Sequence, residues 1–177
     1  MNKFLSFIGK PIVVTFLVLL ADQWLKIWVK TNMFLGQEYQ FLSGSFILHF
    51  TENNGMAFGM ELAGEYGKLF LSVFRIGAVA GIAWYLFSLI KSNAPTLAII
   101  SISLVFAGAI GNIIDSAFYG IIFSESYGEV AKFLPPEGGY AGFLHGRVVD
   151  MLYFPIIEGH FPSWFPMWAN EHFLFFR

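Results

Sequence analysis

The chain has 177 residues, of which 56% are hydrophobic and 12% are charged, against about 25% charged residues in a typical soluble domain. A net charge of −2 excludes the basic footprint of a nucleic-acid-binding protein. The absence of cysteine excludes disulfides, thiolate metal sites and cysteine nucleophiles, and the four histidines lack a metal-ligand spacing such as HExxH. We therefore expect a membrane protein with no metal, no organic cofactor and no nucleic-acid partner.

Three apolar segments are long enough to cross a bilayer, which takes about 20 residues. They lie near residues 11–29, 69–90 and 96–114. The first resembles a signal peptide because Lys3 and Lys10 precede it, but its apolar run continues past Asp22 and no small-residue cleavage site follows. We therefore expect a retained transmembrane helix there.

The distribution of basic residues predicts the orientation. Lys3 and Lys10 precede the first span and Lys91 separates the second from the third, whereas residues 33–67 contain glutamates and neither lysine nor arginine. The positive-inside rule then places the N-terminus in the cytoplasm. Residues 33–67 and 119–177 would be extracytoplasmic, and residues 1–177 would form a single membrane domain.

The sequence also predicts structure outside the helices. Segment 39–50, "YQFLSGSFILHF", has β-favouring aromatic residues on both sides of a Ser-Gly turn, which is typical of a hairpin. Gly77 and Gly81 form a GxxxG pair that favours close helix packing within the chain, with homodimerisation as the alternative. The predicted fold is an all-α membrane bundle with a small extracytoplasmic β-rich layer, and we expect a monomer.

The three aspartates, Asp22, Asp115 and Asp150, all fall in or beside apolar sequence. Ionisable residues at membrane depth usually face the interior of a bundle and mark functional sites or ion pairs. Asp22 and Lys26 share a helix face, as do Asn112 and Asp115. For Asp22 and Lys26 an internal salt bridge or a snorkelling lysine is an equal alternative to a role in a site.

The predicted topology brings these groups, with the asparagines of "FTENNGMAFG", to one membrane boundary. The chain has no GxSxG elbow, Walker loop or interpretable Ser-Lys pair, so carboxylates are its main chemical resource. Two carboxylates held close share one proton and can together activate a water. Asp150, in the apolar stretch "GRVVDMLYF", needs a partner of this kind, and aspartic proteolysis is the natural candidate.

At four places the chain resembles the lipoprotein signal peptidases, or signal peptidase II. "DQWLK", "FTENNGMAFG", "GAIGNIID" and "GRVVDML" match, in order, the family patterns D-Q-x-x-K, F-T-x-N-x-G-A-A-F, G-N-x-I-D-R and V-V-D-F. The resemblance implies a multi-pass aspartic endopeptidase of the bacterial inner membrane, with four helices and its active site at the extracytoplasmic face. Such an enzyme removes the signal peptide of a prolipoprotein by cutting before its diacylglyceryl-modified cysteine.

Carried over by position, Asp150 becomes one catalytic aspartate. The resemblance also implies a set of substrate-binding or supporting residues, namely Asp22, Lys26, Asn53, Gly55, Asn112 and Asp115. Ser116 stands where the family has arginine, and we expect Arg147, close to Asp150 in sequence, to substitute. Residues 121–145 are longer than the family connection, and we expect them to form a lid over the site.

The second catalytic aspartate of the family lies in an F-N-x-A-D motif at the start of a fourth helix, and this motif does not occur in the chain. We expect the partner aspartate and the fourth helix beyond Arg177, with Asp115 as the fallback partner. A molecule that ended at Arg177 would be expected to lack peptidase activity.

Two other functions compete with the peptidase. A transporter or channel subunit would use Asp22, Lys26, Arg75 and Asp115 as an ion or proton path. A catalytically inactive scaffold would bind lipidated partners without cutting them. For the peptidase, the expected partners are a lipid-modified prolipoprotein and membrane lipids.

Overall fold

The structure is a computed structural model that describes residues 3–41, 45–53, 64–154, 157–160 and 172–175. Its three long helices are α1 (Lys3–Asn32), α2 (Gly64–Lys91) and α3 (Thr96–Ile114). Helix α3 continues through a π-helical turn, Asp115–Tyr119, into the short α4, Gly120–Ile122. Its strands are β1 (Glu38–Phe41), β2 (Phe46–Asn53), β3 (Val148–Tyr153), β4 (Ile157–His160) and β5 (His172–Phe175).

Within the described residues, three helical stretches are long and apolar enough to cross a membrane: Gly9–Asn32, Val73–Lys91 and Thr96–Ile122. Their outer faces expose large apolar side chains, including those of Phe16, Trp24 and Trp84, as expected where lipid replaces water. The first two helices start earlier than expected and the third continues past residue 114. The predicted fourth helix lies outside the described residues and stays a prediction.

Helices α1 and α3 run side by side in the same direction. The Thr15 hydroxyl lies 3.5 Å from the carbonyl oxygen of Ser103, and further along, Lys26 meets Asp115. The buried face of α3 has a residue at every fourth position, and three of its four members are small: Ile99, Ser103, Ala107 and Gly111. Small side chains let the two backbones approach closely. The close approach brings the polar residues of both helices together.

Helix α2 packs on α3 through larger side chains near the turn that joins them, where Leu86 and Ile90 of α2 meet Ile99 of α3. Gly77 and Gly81 lie on an exposed face, where no described atom lies within 4 Å of an added Cβ. The expectation that this GxxxG pair packs within the chain is therefore wrong for the described part of the molecule. Aliphatic side chains near the α2–α3 turn make that contact instead.

Strands β1, β2 and β3 form an antiparallel sheet in that order. The predicted hairpin is confirmed by the β1–β2 pair, while its turn, residues 42–44, lies outside the described residues. One face of the sheet packs on the end of α1 and on the chain just after α3. This core contains Val29, Met33, Leu48, Phe50, Tyr119, Phe123, Val149 and Met151. Three membrane-length helices with a small antiparallel sheet confirm the coarse fold class.

Candidate active site

Asp115 is the centre of a buried polar cluster where α1, α3 and β3 meet. Its side chain has no exposed surface. Oδ2 accepts hydrogen bonds from Lys26 Nζ at 2.7 Å and from the backbone N–H of Val149 at 3.2 Å. Oδ1 accepts one from Gln23 Nε2 at 3.0 Å. A buried carboxylate is tolerated as an ion only with such compensation, and both oxygens of Asp115 have it.

Lys26 contacts three other polar residues that were predicted for the site. Its ammonium group is 3.3 Å from Asp22 Oδ2 and donates to Asn112 Oδ1 at 3.1 Å, in addition to Asp115. An ammonium group has three protons to donate, and three acceptors surround this one. The sequence prediction that Asp22, Lys26, Asn112 and Asp115 lie together is met by this geometry. We call these four residues and Gln23 the helix cluster.

Gln23 and Tyr119 belong to this site, and the sequence analysis did not single them out. Gln23 Nε2 donates to Asp22 Oδ2 at 3.1 Å as well as to Asp115, and Tyr119 donates its hydroxyl proton to Gln23 Oε1 at 3.3 Å. A glutamine beside an aspartate inside an apolar span was the available signal for Gln23. Tyr119 follows Asp115 by one helical turn, which places it on the same side of the chain.

Gly111 leaves the space that the Asp22 side chain occupies. A Cβ at position 111 would lie 2.5 Å from Asp22 Oδ2, and Gln23 Nε2 lies 3.4 Å from the Gly111 carbonyl oxygen. A methyl group cannot fit at that distance, so α1 or the carboxylate would have to move. Glycine is therefore part of the site although it contributes no side chain.

The π-helical turn that carries Asp115 is supported by the chain that follows it. Residues 123–147, which we call the connecting segment, return along the turn on their way to β3. The N–H groups of Ala141 and Gly146 donate to the carbonyls of Gly120 and Ser116, both at 2.9 Å. A π-helical turn disturbs the regular helical hydrogen bonds, and these two bonds satisfy one carbonyl of the turn and one at the start of α4. The expectation that residues 121–145 form a lid stays a prediction.

Asp150 lies in the middle of β3, between Val149 and Met151. Those two neighbours point into the core, and the Asp150 side chain is exposed on the opposite face because side chains alternate along a strand. Since the Val149 N–H binds Asp115, the buried cluster holds the backbone immediately before Asp150. Across the sheet, Thr51 of β2 faces Asp150. The exposed acid therefore follows, by one residue, the backbone N–H that the buried acid holds.

Two further predicted residues come from the stretch that begins in β2. Asn53 ends β2 and pairs with Val148 in the sheet, so it lies near Asp150 along the same pair of strands. Gly55 lies outside the described residues. The placement of Asn53 is compatible with the supporting role expected of it.

A second group of charges lies one helical turn beyond Lys26, around the fully buried Lys30. Lys30 forms an ion pair with Glu52 and donates to Ser126 Oγ at 2.7 Å. Arg147 pairs with both Glu52 and Glu125, and its Nη1 lies 3.1 Å from Glu52 Oε2. We call these five residues the sheet network. It joins α1, β2 and the connecting segment.

These contacts correct the expectation for Arg147. Within the described part of the chain its guanidinium binds Glu52 and Glu125 and lies over the ring of Tyr140. The hydrogen bond from Arg147 lowers the pKa of Glu125, and the same bond raises the pKa of Arg147. Burial raises the pKa of Tyr140 to about 12. Arg147 is therefore a member of the sheet network.

Among the described residues, no group of three or more His, Cys, Asp or Glu side chains is placed to hold a metal ion. The groups able to transfer protons in the described site are carboxylates, one lysine and one tyrosine. Of these, Asp150 is the exposed carboxylate, and Asp115 has both oxygens occupied. Acid and base chemistry by carboxylates is what such a set can perform.

Helices of membrane length enclosing an acid–lysine cluster define an integral membrane protein with a polar site at the sheet end of its helices. Residues 14–171 match the family described as signal peptidase (SPase) II. The chain belongs to that family. This membership favours a peptidase over the transporter, channel and scaffold alternatives.

Relatives of known name agree with this assignment. The chain is 52% identical over 181 residues to the lipoprotein signal peptidase of Porphyromonas gingivalis, covering 100% of this chain and 78% of that protein. It is 35% identical over 162 residues to that of Amoebophilus asiaticus, covering 90% and 65%. A bacterial membrane enzyme solved at 1.9 Å resolution superposes with a TM-score of 0.58 and 27% identity, covering 88% of this chain and 81% of that one.

Proposed function

We propose that the chain removes signal peptides from prolipoproteins as an aspartic endopeptidase in which Asp150 is a catalytic residue. Membership of the signal peptidase II family supports the reaction. The observation that carries the assignment of Asp150 is its position, exposed on β3 directly after the residue whose N–H binds the buried Asp115. The substrate is a prolipoprotein with a diacylglyceryl-modified cysteine, and the cut falls before that cysteine.

The contacts of the two aspartates assign them different roles. Asp115 accepts a hydrogen bond from an ammonium group at 2.7 Å and two others from uncharged donors, and these three bonds fix its side chain in place. Asp150 is exposed and can reach water. Asp115 is therefore a positioning residue, and the fallback that pairs it with Asp150 is not adopted. The expectation that the partner aspartate lies beyond Arg177 stays a prediction.

The mechanism follows from one ionised and one protonated carboxyl group. The ionised carboxylate of Asp150 takes a proton from a water, whose oxygen attacks the scissile carbonyl carbon. The protonated partner donates a hydrogen bond to the carbonyl oxygen. Asp150 then gives the proton it took from water to the amide nitrogen as the bond between that nitrogen and carbon breaks, which returns both carboxyl groups to their starting states. Attack of this kind depends on sub-ångström placement, which the Val149 to Asp115 bond supports.

Asp150→Asn tests the assignment, because asparagine keeps the shape of the side chain and cannot act as a base. Membranes containing the variant should not convert a lipid-modified prolipoprotein to the shorter product, with the cut located by mass spectrometry. Glu129→Gln, which neutralises an exposed acid of the connecting segment, is the matched control and should process normally. Normal processing by a folded Asp150→Asn variant would refute the catalytic role.

We further propose that the sheet end of the helices faces the outside of the bacterial inner membrane. The positive-inside pattern supports this orientation, and the natural chain has no cysteine to interfere with labelling. In intact spheroplasts a membrane-impermeant maleimide should label Glu129→Cys in the connecting segment but not Ser92→Cys in the α2–α3 turn. The reverse pattern would overturn the orientation.

A further inference from the structure

Arg75 is a charged residue within the membrane-length part of α2. The membrane-length stretch of α2, Val73–Lys91, contains Arg75 near one end and Lys91 at the other. Its neighbours Phe74 and Ile76 are exposed, while Arg75 is partly buried. A cation at membrane depth normally turns toward the protein interior and binds polar groups there. Arg75 therefore identifies the face of α2 that meets the site.

The guanidinium of Arg75 reaches the turn that carries Asp115. Its Nη1 donates to Ser116 Oγ at 3.1 Å, and Ser116 is itself buried and directly follows Asp115. The charge of Arg75 interacts with the carboxylates of both Asp150 and Asp115. A residue of α2 thus reaches the turn of the buried acid, and that acid binds the strand that carries the exposed acid proposed to act on water.

The balance of charges around Arg75 suggests what its guanidinium does at this position. In the helix cluster, Lys26 is the one base that faces two acids, Asp22 and Asp115, which leaves one negative charge in surplus. Asp150 adds another acid, one residue after the Val149 N–H that binds Asp115. Carboxylates held close without a cation repel each other, and one of them then moves away or takes up a proton. Arg75 supplies a positive charge at that place.

We propose that Arg75 is a positioning residue that holds the ionised carboxylate of Asp150 beside the Asp115 turn; this rests on the proposed function. It also accounts for the departure at Ser116. Where the family pattern has arginine after its aspartate, this chain has a small hydroxyl side chain that accepts a hydrogen bond from an arginine on the neighbouring helix. The cation reaches the site from α2 instead of from the turn itself.

The test measures kcat and KM for a lipid-modified prolipoprotein with the full chain in proteoliposomes. Arg75→Gln removes the charge and should lower kcat at least about tenfold, because the carboxylate is no longer held in place, with KM changed less than about threefold. Arg75→Lys keeps the charge and should retain more of kcat than Arg75→Gln. Lys91→Gln, at the far end of the same helix, is the matched control and should leave both constants unchanged.

Moving the guanidinium from position 75 to position 116 tests whether Arg75 positions Asp150 or only supports the fold. In the double variant Arg75→Ala/Ser116→Arg the cation returns from the turn, and kcat should recover to within about tenfold of the unaltered chain. Loss of a merely structural contact would not be repaired in this way. If Arg75→Gln does not fold, the double variant decides: turnover supports the inference, and a folded protein without turnover overturns it.

Two further outcomes distinguish a failure of the proposed function from a failure of the inference about Arg75. If the unaltered full-length gene product does not process the substrate, the proposed function fails and the inference fails with it. If the unaltered chain is active and Arg75→Gln keeps the full kcat, the inference alone is overturned.

Discussion

The helix cluster and the sheet network are each built around a buried lysine of α1, and the two lysines are one helical turn apart. Lys26 faces Asp22 and Asp115 and ties α1 to α3 and, through Asp115, to β3. Lys30 faces Glu52 and Ser126 and ties α1 to β2 and the connecting segment. Each assembly thus has its own buried lysine, and both lysines come from the same helix.

The difference lies in how the charges are balanced. In the sheet network Lys30 and Arg147 face Glu52 and Glu125, so two bases meet two acids, and Glu52 keeps a cation if either base is lost. In the helix cluster two acids depend on Lys26. A balanced network tolerates damage, whereas a cluster with one shared cation does not. The helix cluster should therefore be the more sensitive of the two.

Replacing Lys26 should give the largest effect. Lys26→Met leaves Asp115 buried without its cation, which costs about 3–5 kcal/mol when one partner of a buried pair is removed. The free energy of unfolding in detergent micelles should fall by that amount, and processing should be lost because β3 is no longer held. The double variant Lys26→Met/Asp115→Leu removes both charges and should recover stability but not processing. A double variant as unstable as the single one would contradict the explanation.

Replacing Lys30 should give a smaller effect that spares turnover. In Lys30→Met the Glu52 carboxylate loses one charged donor but keeps Arg147, so unfolding should become easier by about 1.5–3 kcal/mol. The kcat of the folded molecules should remain near that of the unaltered chain. Lys10→Met removes an exposed lysine from the same helix and serves as the control. A drop in kcat like that of Lys26→Met would erase the proposed distinction between the two assemblies.

Gly111→Ala sharpens the comparison by disturbing the helix cluster without changing a charge. The added methyl group would meet Asp22 Oδ2 at 2.5 Å, and overpacking of this kind costs about 1–3 kcal/mol. Gly108→Ala, on an open face of the same helix, should lose no stability and could gain up to about 1 kcal/mol from helix propensity. Equal stability of the two variants, measured by thermal unfolding in detergent, would show that the cluster adapts to the extra volume.

The smallest effect is expected at the exposed edge of the sheet network. Because the pKa of Glu125 is lowered in the folded protein, the unfolded chain binds its proton more tightly and stability rises with pH. The contribution is complete above the unfolded pKa of about 4.3 and is lost as pH falls through the lowered folded value. Since Glu125 is partly exposed, the gain is at most about 1 kcal/mol. The unfolding midpoints of the unaltered chain and of Glu125→Gln should differ at pH 7 and converge at acid pH.

Sequence reasoning succeeded where the signal was local and periodic. Apolar length predicted the membrane helices, and a spacing of three or four residues placed Asp22 with Lys26 and Asn112 with Asp115. The β-favouring aromatic residues on both sides of a Ser-Gly turn predicted the hairpin. These features depend only on the repeat of a helix or a strand, which holds whatever the rest of the chain does.

The partners of Arg147 differ from those expected, for a reason that the extended chain itself supplies. Arg147 precedes Asp150 by three positions, and an odd separation along extended chain places side chains on opposite faces of a sheet. The side chains of Arg147 and Asp150 are therefore expected on opposite faces although the two residues are close in sequence. Arg147 pairs instead with Glu52 and Glu125. The arginine that does reach the site comes from α2, and only the packing of that helix places it against Ser116.

The amino-acid sequence by itself determined the membrane helices, the pairs of polar residues within each helix and the motifs of the family. Only the tertiary structure decided that Asp115 binds the strand of Asp150, that Lys30 anchors the connecting segment and that Arg75 faces the site. The physical reason is that helical and strand periodicities fix which face of one element a residue occupies. Which faces then meet depends on the packing of distant segments, and on small residues such as Gly111 that permit it.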